Sequence, residues 1–370
     1  METREDLHGG MNIGELSEFY AALKIAGDGV LWGGDEKLRL CRDRCLHVVK
    51  VLRSDFSATV GDMVVFTAVE DKHSFPKEVV LKHSQRLLDY LYLKTKNKHL
   101  PVPSEILSFM TTIGCKKAAA SSTRKRDITL DVCDEHIGSK IEYGFSMKSY
   151  IGGDPSLLNA SPATNICYRI KGLSKKNVED FEKISKENSK HWIIDRLALL
   201  KKVATEINFD SYDNATFAGN LLLIDDALPW LVAEALRAYY FGEAPDSSCK
   251  SVLRVIAKEN HLGYPDSQRY YAVKFKHFLR VVALGMMPSE PWNDSDDATG
   301  GYIVVRPDGK IVAFYVYNRK LFDEYLLNCT RFERPSTSRH HYMNLIPTEN
   351  KNEYLLKLNL QIRFKKPCGI

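Results

Sequence analysis

Residues 127–165 read DITLDVCDEHIGSKIEYGFSMKSYIGGDPSLLNASPATN. Apolar and polar letters alternate through the first part, which predicts two short strands joined by a polar turn, and the glycines, prolines and asparagines after Lys148 predict a loop. Successive strand side chains point to opposite faces. Glu142, Gly144, Ser146 and Lys148 therefore share one face of the second strand, and Ile141, Tyr143, Phe145 and Met147 the other. One face is expected to be wet and the other buried. On the first strand Asp127, Thr129 and Asp131 lie together, opposite Ile128, Leu130 and Val132. A carboxylate can thus meet an ammonium across the pair.

An acid on one strand and a residue-x-Lys on its neighbour is a pattern suited to metal-dependent phosphodiester hydrolysis. A divalent cation held by carboxylates neutralises the phosphate, while a lysine beside it orients or deprotonates the attacking water. The same letters also occur on solvated hairpins, so the surrounding words matter.

The run GFSMKSYIGGDPSLLNASPATN (144–165) resembles the core of the HpaII-like type II restriction endonucleases. Three more stretches resemble the same family: GELSEFYAALKIAGDGVLWGGDE near the start, GGYIVVRPDGKIVAFYVYNRKLFDEYLL from Gly300, and RFERPSTSRH with the terminal NLQIRF. The resemblance implies an α/β (α+β) fold with a PD-(D/E)xK nuclease core, in which a mixed sheet is flanked by helices. It implies Mg2+-dependent cutting of double-stranded DNA at a short GC-only site, expected to be CCGG. A cognate methyltransferase would protect host sites, and cutting would be sensitive to cytosine methylation.

In the same terms Asp127 becomes the first metal ligand, the Met147 carbonyl a second and Lys148 the catalytic lysine. Ser146 stands where the family motif carries an acid. A hydroxyl is a poorer ligand than a carboxylate for a hard cation, so another acid must supply the missing charge. Glu18, on the opening helix, is the first candidate. Glu142 is second, because it lies on the order of 13 Å from Ser146 along the strand. Asp131 is third. Ser146 would then reach the metal through water or steer Lys148.

The 370 residues, 44% of them hydrophobic, suffice for a substantial core, and a net charge of +5 is compatible with a nucleic-acid partner without identifying one. No apolar run of membrane-spanning length and no signal-like start is present, so a cytoplasmic location away from membranes is expected. Eight cysteines without paired CxxC spacing read as reduced thiols. Cys41 and Cys45, on an expected helix, have no second pair to complete a zinc site.

Along the chain, residues 13–25 carry helical apolar spacing, with Glu15 and Glu18 near the helix start and Gly27 and Gly29 at its end. Residues 38–70 read as mixed, with HVVKVL and DMVVFTAV strand-like, 84–92 as a short helix, and 104–110 as a helix capped by Ser104. The basic run KKAAASSTRKRD leads into Asp127, where it would attract phosphate. Residues 171–290 read as a helical block that includes a helix or helix pair broken near Pro229. The segment SEPWNDSDDATGG (289–301) is the expected boundary, and YIVVR-PDG-KIVAFYVYN a hairpin. Three regions result: 1–170 with the N-terminal helix and catalytic core, 171–290 helical, and 300–370 a C-terminal β-rich DNA-recognition region.

Arg334, Ser336, Thr337, Ser338, Arg339 and His340 combine donors able to bind phosphates and base edges, arginine being suited to guanine. NLQIRF reads as one strand with Asn359, Gln361 and Arg363 on one face. Asn159 and Asn165, in the loop after Lys148, offer amides to phosphates. A homodimer would suit a palindromic site. Two other functions remain open: a non-cleaving sequence-specific DNA-binding module on the same fold, suggested by Ser146, and an RNA-processing nuclease.

Overall fold

The computed structural model describes residues 11–69, 71–115, 126–134, 139–335 and 340–365. Helix α1 (Ile13–Asp28) starts at Asn12, whose side chain and that of Glu15 cap each other's backbone amides, and stops at Gly29 in the left-handed region. Strands β1 (Val30–Gly34), β2 (Leu40–Leu52), β3 (Ser57–Val60), β4 (Met63–Ala68) and β5 (Asp71–Pro76) follow, then helices α2 (Lys77–Lys96) and α3 (Ser104–Thr112). The 127–165 stretch supplies β6 (Ile128–Asp134), β7 (Ser139–Ser149) and β8 (Ser156–Leu158) before β9 (Asn165–Lys171). The middle of the chain holds α4 (Lys175–Lys183), α5 (Trp192–Val203), β10 (Glu206–Tyr212), α6 (Ala215–Ile224), α7 (Leu228–Tyr240), α8 (Cys249–Glu259) and α9 (Ser267–Leu284). The last part holds β11 (Gly301–Val305), β12 (Ile311–Tyr315), α10 (Arg319–Cys329), β13 (Thr330–Phe332), β14 (Leu345–Pro347), β15 (Glu353–Asn359) and β16 (Ile362–Phe364).

The main sheet has nine strands in the order β1-β12-β11-β7-β6-β2-β3-β4-β5, and β1 also pairs with β2. It is mixed: β11 runs parallel to β7 and β12 parallel to β1, while β6 and β7 are antiparallel. Helices flank it, as the mixed α/β expectation required. Tyr302, Val304, Val312 and Phe314 point into one core with α7, α8, α9 and α10, while Ile303, Val305, Ala313, Phe145 and Met147 point into another with α1 and α2. Each buried side chain of this size contributes about 1.5–3 kcal/mol. The middle of the sheet is therefore dry on both faces, contrary to the one wet face expected from alternation. Ser146 is 1% exposed and Gly144 is buried.

Strands from the first and last of the three expected regions share sheets. The hairpin from residue 301 lies inside the main sheet, with Tyr302 opposite Ser146 and Val304 opposite Lys148. Gly301 allows it to close: its φ is +123°, and a Cβ there would meet the Phe314 carbonyl oxygen at 2.0 Å. A second sheet, β10-β9-β15-β14, and a third, β13-β16-β8, likewise join distant segments. The expected boundary at 289–301 is tied down by Asn220, which donates to the carbonyls of Met287 and Glu290 and accepts from the Trp292 amide.

Local expectations fared unevenly. The helix pair breaks where Pro229 predicts, with a bend of 112°. The 84–92 helix is longer, Ser104 is the first helical residue and not the cap, and Cys41 and Cys45 sit on β2 instead of a helix. NLQIRF divides between β15 and β16, which belong to different sheets, so Asn359 and Arg363 share no strand face. No single helix among the described residues is long and apolar enough to cross a membrane.

Candidate active site

The β6–β7 register runs from Ile128↔Phe145 to Asp134↔Ser139, with Thr129 opposite Gly144 and Asp131 opposite Glu142. Asp127 stands just before the strand. Its amide donates to the Phe145 carbonyl at 2.9 Å, which sets the residue across from Ser146. The carboxylate accepts the Met147 amide at 2.5 Å and the Ser146 hydroxyl at 3.2 Å, both on Oδ2. N–H and C=O of one strand residue leave the same edge. The Met147 carbonyl therefore emerges beside Asp127, where β6 has ended.

Ser146 is sealed from solvent and its hydroxyl donates to the Asp127 carboxylate, which helps to hold that carboxylate in place. Across the ladder lies Tyr302, fully buried, its hydroxyl without a hydrogen-bond partner among the described residues. Burial and then the nearby Asp127 charge push its phenol well above the ordinary value, which keeps the hydroxyl protonated. Nothing in the sequence linked Tyr302 to Asp127, because the two are joined only through the insertion of β11 beside β7.

Lys148, one step beyond Ser146 on the same face, is half-exposed and lines a cleft of about 590 Å³. Glu18, Met147, Asp154, Asn159 and Arg363 line the same cleft. Among the described residues Lys148 makes no ion pair. Of the three candidates for the missing acid, Glu18 alone lines this cleft. Glu142 is exposed further along β7, 3.9 Å from Arg126, and Asp131 faces Glu142 across the ladder. The first turn of α1, with Asn12 and Gly14, forms one wall and turns the positive end of the helix dipole to the space.

Asp154 was missed in the sequence. It lines the cleft, its carboxylate lies 3.4 Å from Arg331, and its carbonyl accepts from Arg363. The glycine loop GGDPS carries it there, a signal that could have been read.

The Glu18 and Asp154 carboxylates and the Met147 main chain give the cleft oxygen donors of the kind a small divalent cation takes, while Asp127 does not line it and is joined to its wall through the Met147 amide. Among the described residues no group of three or more His, Cys, Asp or Glu side chains is arranged to hold a metal ion.

The predicted DNA contacts divide. Asn159 is exposed on the cleft, and Arg363 lines it while holding the Asp154 carbonyl. Gln361 is half-buried at the break between β15 and β16. Asn165 is not a surface group: it is 1% exposed, donates to the His340 carbonyl and accepts from Asn359. Its amide fixes the segment after residue 339, and His340 is half-buried there. Arg334 lies over the rings of Tyr239 and Tyr240 and donates to the Tyr240 carbonyl, so it braces the protein instead of projecting to a base. Ser336, Thr337, Ser338 and Arg339 lie outside the described residues, as does the basic run from 116 to 125.

The family model of the HpaII restriction endonuclease matches residues 12–364. The type II restriction enzyme HpaII of Haemophilus parainfluenzae is 33% identical over 362 residues, covering 95% of this chain and 98% of that protein. No solved structure matches the chain. The match runs through every element that builds the cleft, and the chain belongs to the HpaII restriction endonuclease family, enzymes that cut DNA.

Proposed function

We propose that this protein is a type II restriction endonuclease that hydrolyses phosphodiester bonds of double-stranded DNA with Mg2+ at CCGG, on a PD-(D/E)xK core. The observation that carries the reading is the meeting of β7 and α1: Lys148 and Glu18 line one cleft, and the Asp127 carboxylate is bonded to the Met147 amide at its wall. The relative whose name is type II restriction enzyme HpaII matches over nearly its whole length and favours the same class of cutting.

Asp127, Glu18 and the Met147 carbonyl would hold the cation. When bound, Mg2+ supplies positive charge to the scissile phosphate as negative charge builds on it. Lys148 brings an ammonium into the cleft, where it positions the attacking water by hydrogen bonding. Asp127 is fixed in advance by the Met147 amide and the Ser146 hydroxyl, so little reorganisation is needed when the substrate arrives. Asn159 and Arg363 line the same space and would contact phosphates. The enzyme would work in the cytoplasm, alone or as a homodimer, while a methyltransferase protects host sites.

Incubation with Mg2+ and two plasmids, one with a single CCGG and one with none, tests the reading. Linearisation of the first alone is expected, with cutting blocked by cytosine methylation in the site. Retardation of both plasmids without any cutting would overturn it in favour of a non-cleaving DNA-binding module.

A further inference from the structure

The cleft does not end at α1. Asn12 and Ile13, which line it, also line a second depression of about 770 Å³ whose far wall carries Lys94, Lys98 and His99. The start of α1 is thus a ridge shared by the two. Gly152 joins their sides: a Cβ on it would lie 3.2 Å from Ile13 and 3.4 Å from Thr95. The glycine loop of the active cleft, the start of α1 and the turn made by the end of α2 and the residues after it therefore lie side by side.

That turn, KTKNKH (94–99), is built to hold its shape. Lys94 is 6% exposed and donates to the carbonyls of Lys98 at 3.4 Å and Leu100 at 3.1 Å. The Tyr90 hydroxyl also donates to Leu100, and the His99 amide donates to the Asn97 side chain. With its carbonyls drawn inward, the turn leaves Lys96, Lys98 and His99 exposed. None of these three makes an ion pair among the described residues. Lys175 and Lys176 on α4 are also exposed without an ion pair among the described residues; what sets this turn apart is that Lys98 and His99 line a depression that shares Asn12 and Ile13 with the active cleft. Lys96 and Lys98, two residues apart and without counter-charge among the described residues, repel one another, a cost that a bound polyanion removes.

We infer that this turn is a phosphate-binding rim for DNA outside the recognition sequence. It rests on the nuclease reading above: with the scissile phosphate at Lys148, the duplex continues over the start of α1 and lays its flanking backbone against Lys96, Lys98 and His99. Contacts of this kind hold the duplex in register and read no bases. Each releases condensed counterions, so each adds to the salt dependence of binding.

The test compares wild type with Lys96→Ala/Lys98→Ala in Mg2+-free binding to two duplexes, one trimmed to the recognition sequence and one extended on both sides. Each phosphate contact contributes about 0.9 to the slope of log affinity against log salt. On the extended duplex the variant's slope should be shallower by about 1.8, so that between about 50 and 200 mM salt the wild type loses about 12-fold more affinity. On the trimmed duplex the slopes should coincide. Lys175→Ala/Lys176→Ala, exposed on α4, removes the same charge away from the cleft and should leave both slopes unchanged. An unchanged slope for Lys96→Ala/Lys98→Ala on the extended duplex, or an equal drop on the trimmed one, would overturn the rim and leave the nuclease reading standing. Failure of the wild type to bind either duplex would instead remove the nuclease reading itself.

Discussion

Asp127→Asn separates catalysis from folding at the one side chain where both meet. The carboxylate accepts two hydrogen bonds on Oδ2, from the Met147 amide and the Ser146 hydroxyl. Bonds to a charged acceptor contribute about 1.5–3 kcal/mol each and neutral ones about 0.5–1.5, so neutralising Asp127 weakens the pair by about 2 kcal/mol in total. Relief of a half-buried charge returns about 1–2 kcal/mol. Stability should therefore change by about 1 kcal/mol or less, which is about 2 °C or less in Tm for a chain of this length. Cleavage should fall far more. Losing about 4 kcal/mol of transition-state stabilisation is a thousandfold in rate, and the lost charge is one of the two carboxylates proposed to hold the cation. Single-turnover cleavage of a labelled CCGG duplex in Mg2+, alongside calorimetric unfolding, measures both quantities. A rate within tenfold of wild type would refute the assignment, and so would a collapse of Tm in step with the activity.

Lys148→Ala should abolish cleavage while changing Mg2+-free duplex affinity by about threefold or less, since one phosphate-range charge among many is removed; a gel-shift titration showing loss of binding in proportion to loss of cutting would make Lys148 an anchor instead. Arg334→Ala should lower stability by about 1–2 kcal/mol through its lost ring and carbonyl contacts and leave cutting at the proposed CCGG site as selective as in wild type. Relaxed discrimination on single-mismatch duplexes would return Arg334 to base reading. Two turn carboxylates set an acid-side dependence. Burial pushes Asp35 and Asp308 up, but backbone amides and the neighbouring Arg39 and Arg306 outweigh it and hold both below the ordinary value of 3.8. Their contribution is complete above that pH and disappears as pH falls through the depressed values. Asp35→Asn/Asp308→Asn should therefore lower Tm at neutral pH and converge with wild type in acid; an offset constant across a Tm–pH series would contradict this.

The ladder that carries the site was readable from the sequence because strand alternation is local: period-two lettering already put Asp127, Thr129 and Asp131 on the face of Glu142, Gly144, Ser146 and Lys148, and the observed register keeps that set. Helix α1 followed from apolar spacing and a glycine stop, and the 302–315 hairpin from its Pro-Asp-Gly turn. Family resemblance added the roles of Asp127, Lys148 and Glu18. Alternation says which residues share a face but not what covers it. The cover over Ser146 comes from Tyr302, brought by a hairpin more than a hundred residues later in the chain.

Which of Glu18, Glu142 and Asp131 lines the cleft was set by tertiary packing alone, because it depends on where α1 sits against the end of β7. Packing likewise drew Asn165 and Arg334 inward and divided Asn359 from Arg363 between two sheets. A polar residue in a turn-rich segment carries the same letter whether it faces a phosphate or a neighbouring carbonyl. Its desolvation and its partners are set by segments far away in the chain, and only their meeting in space determines which it becomes.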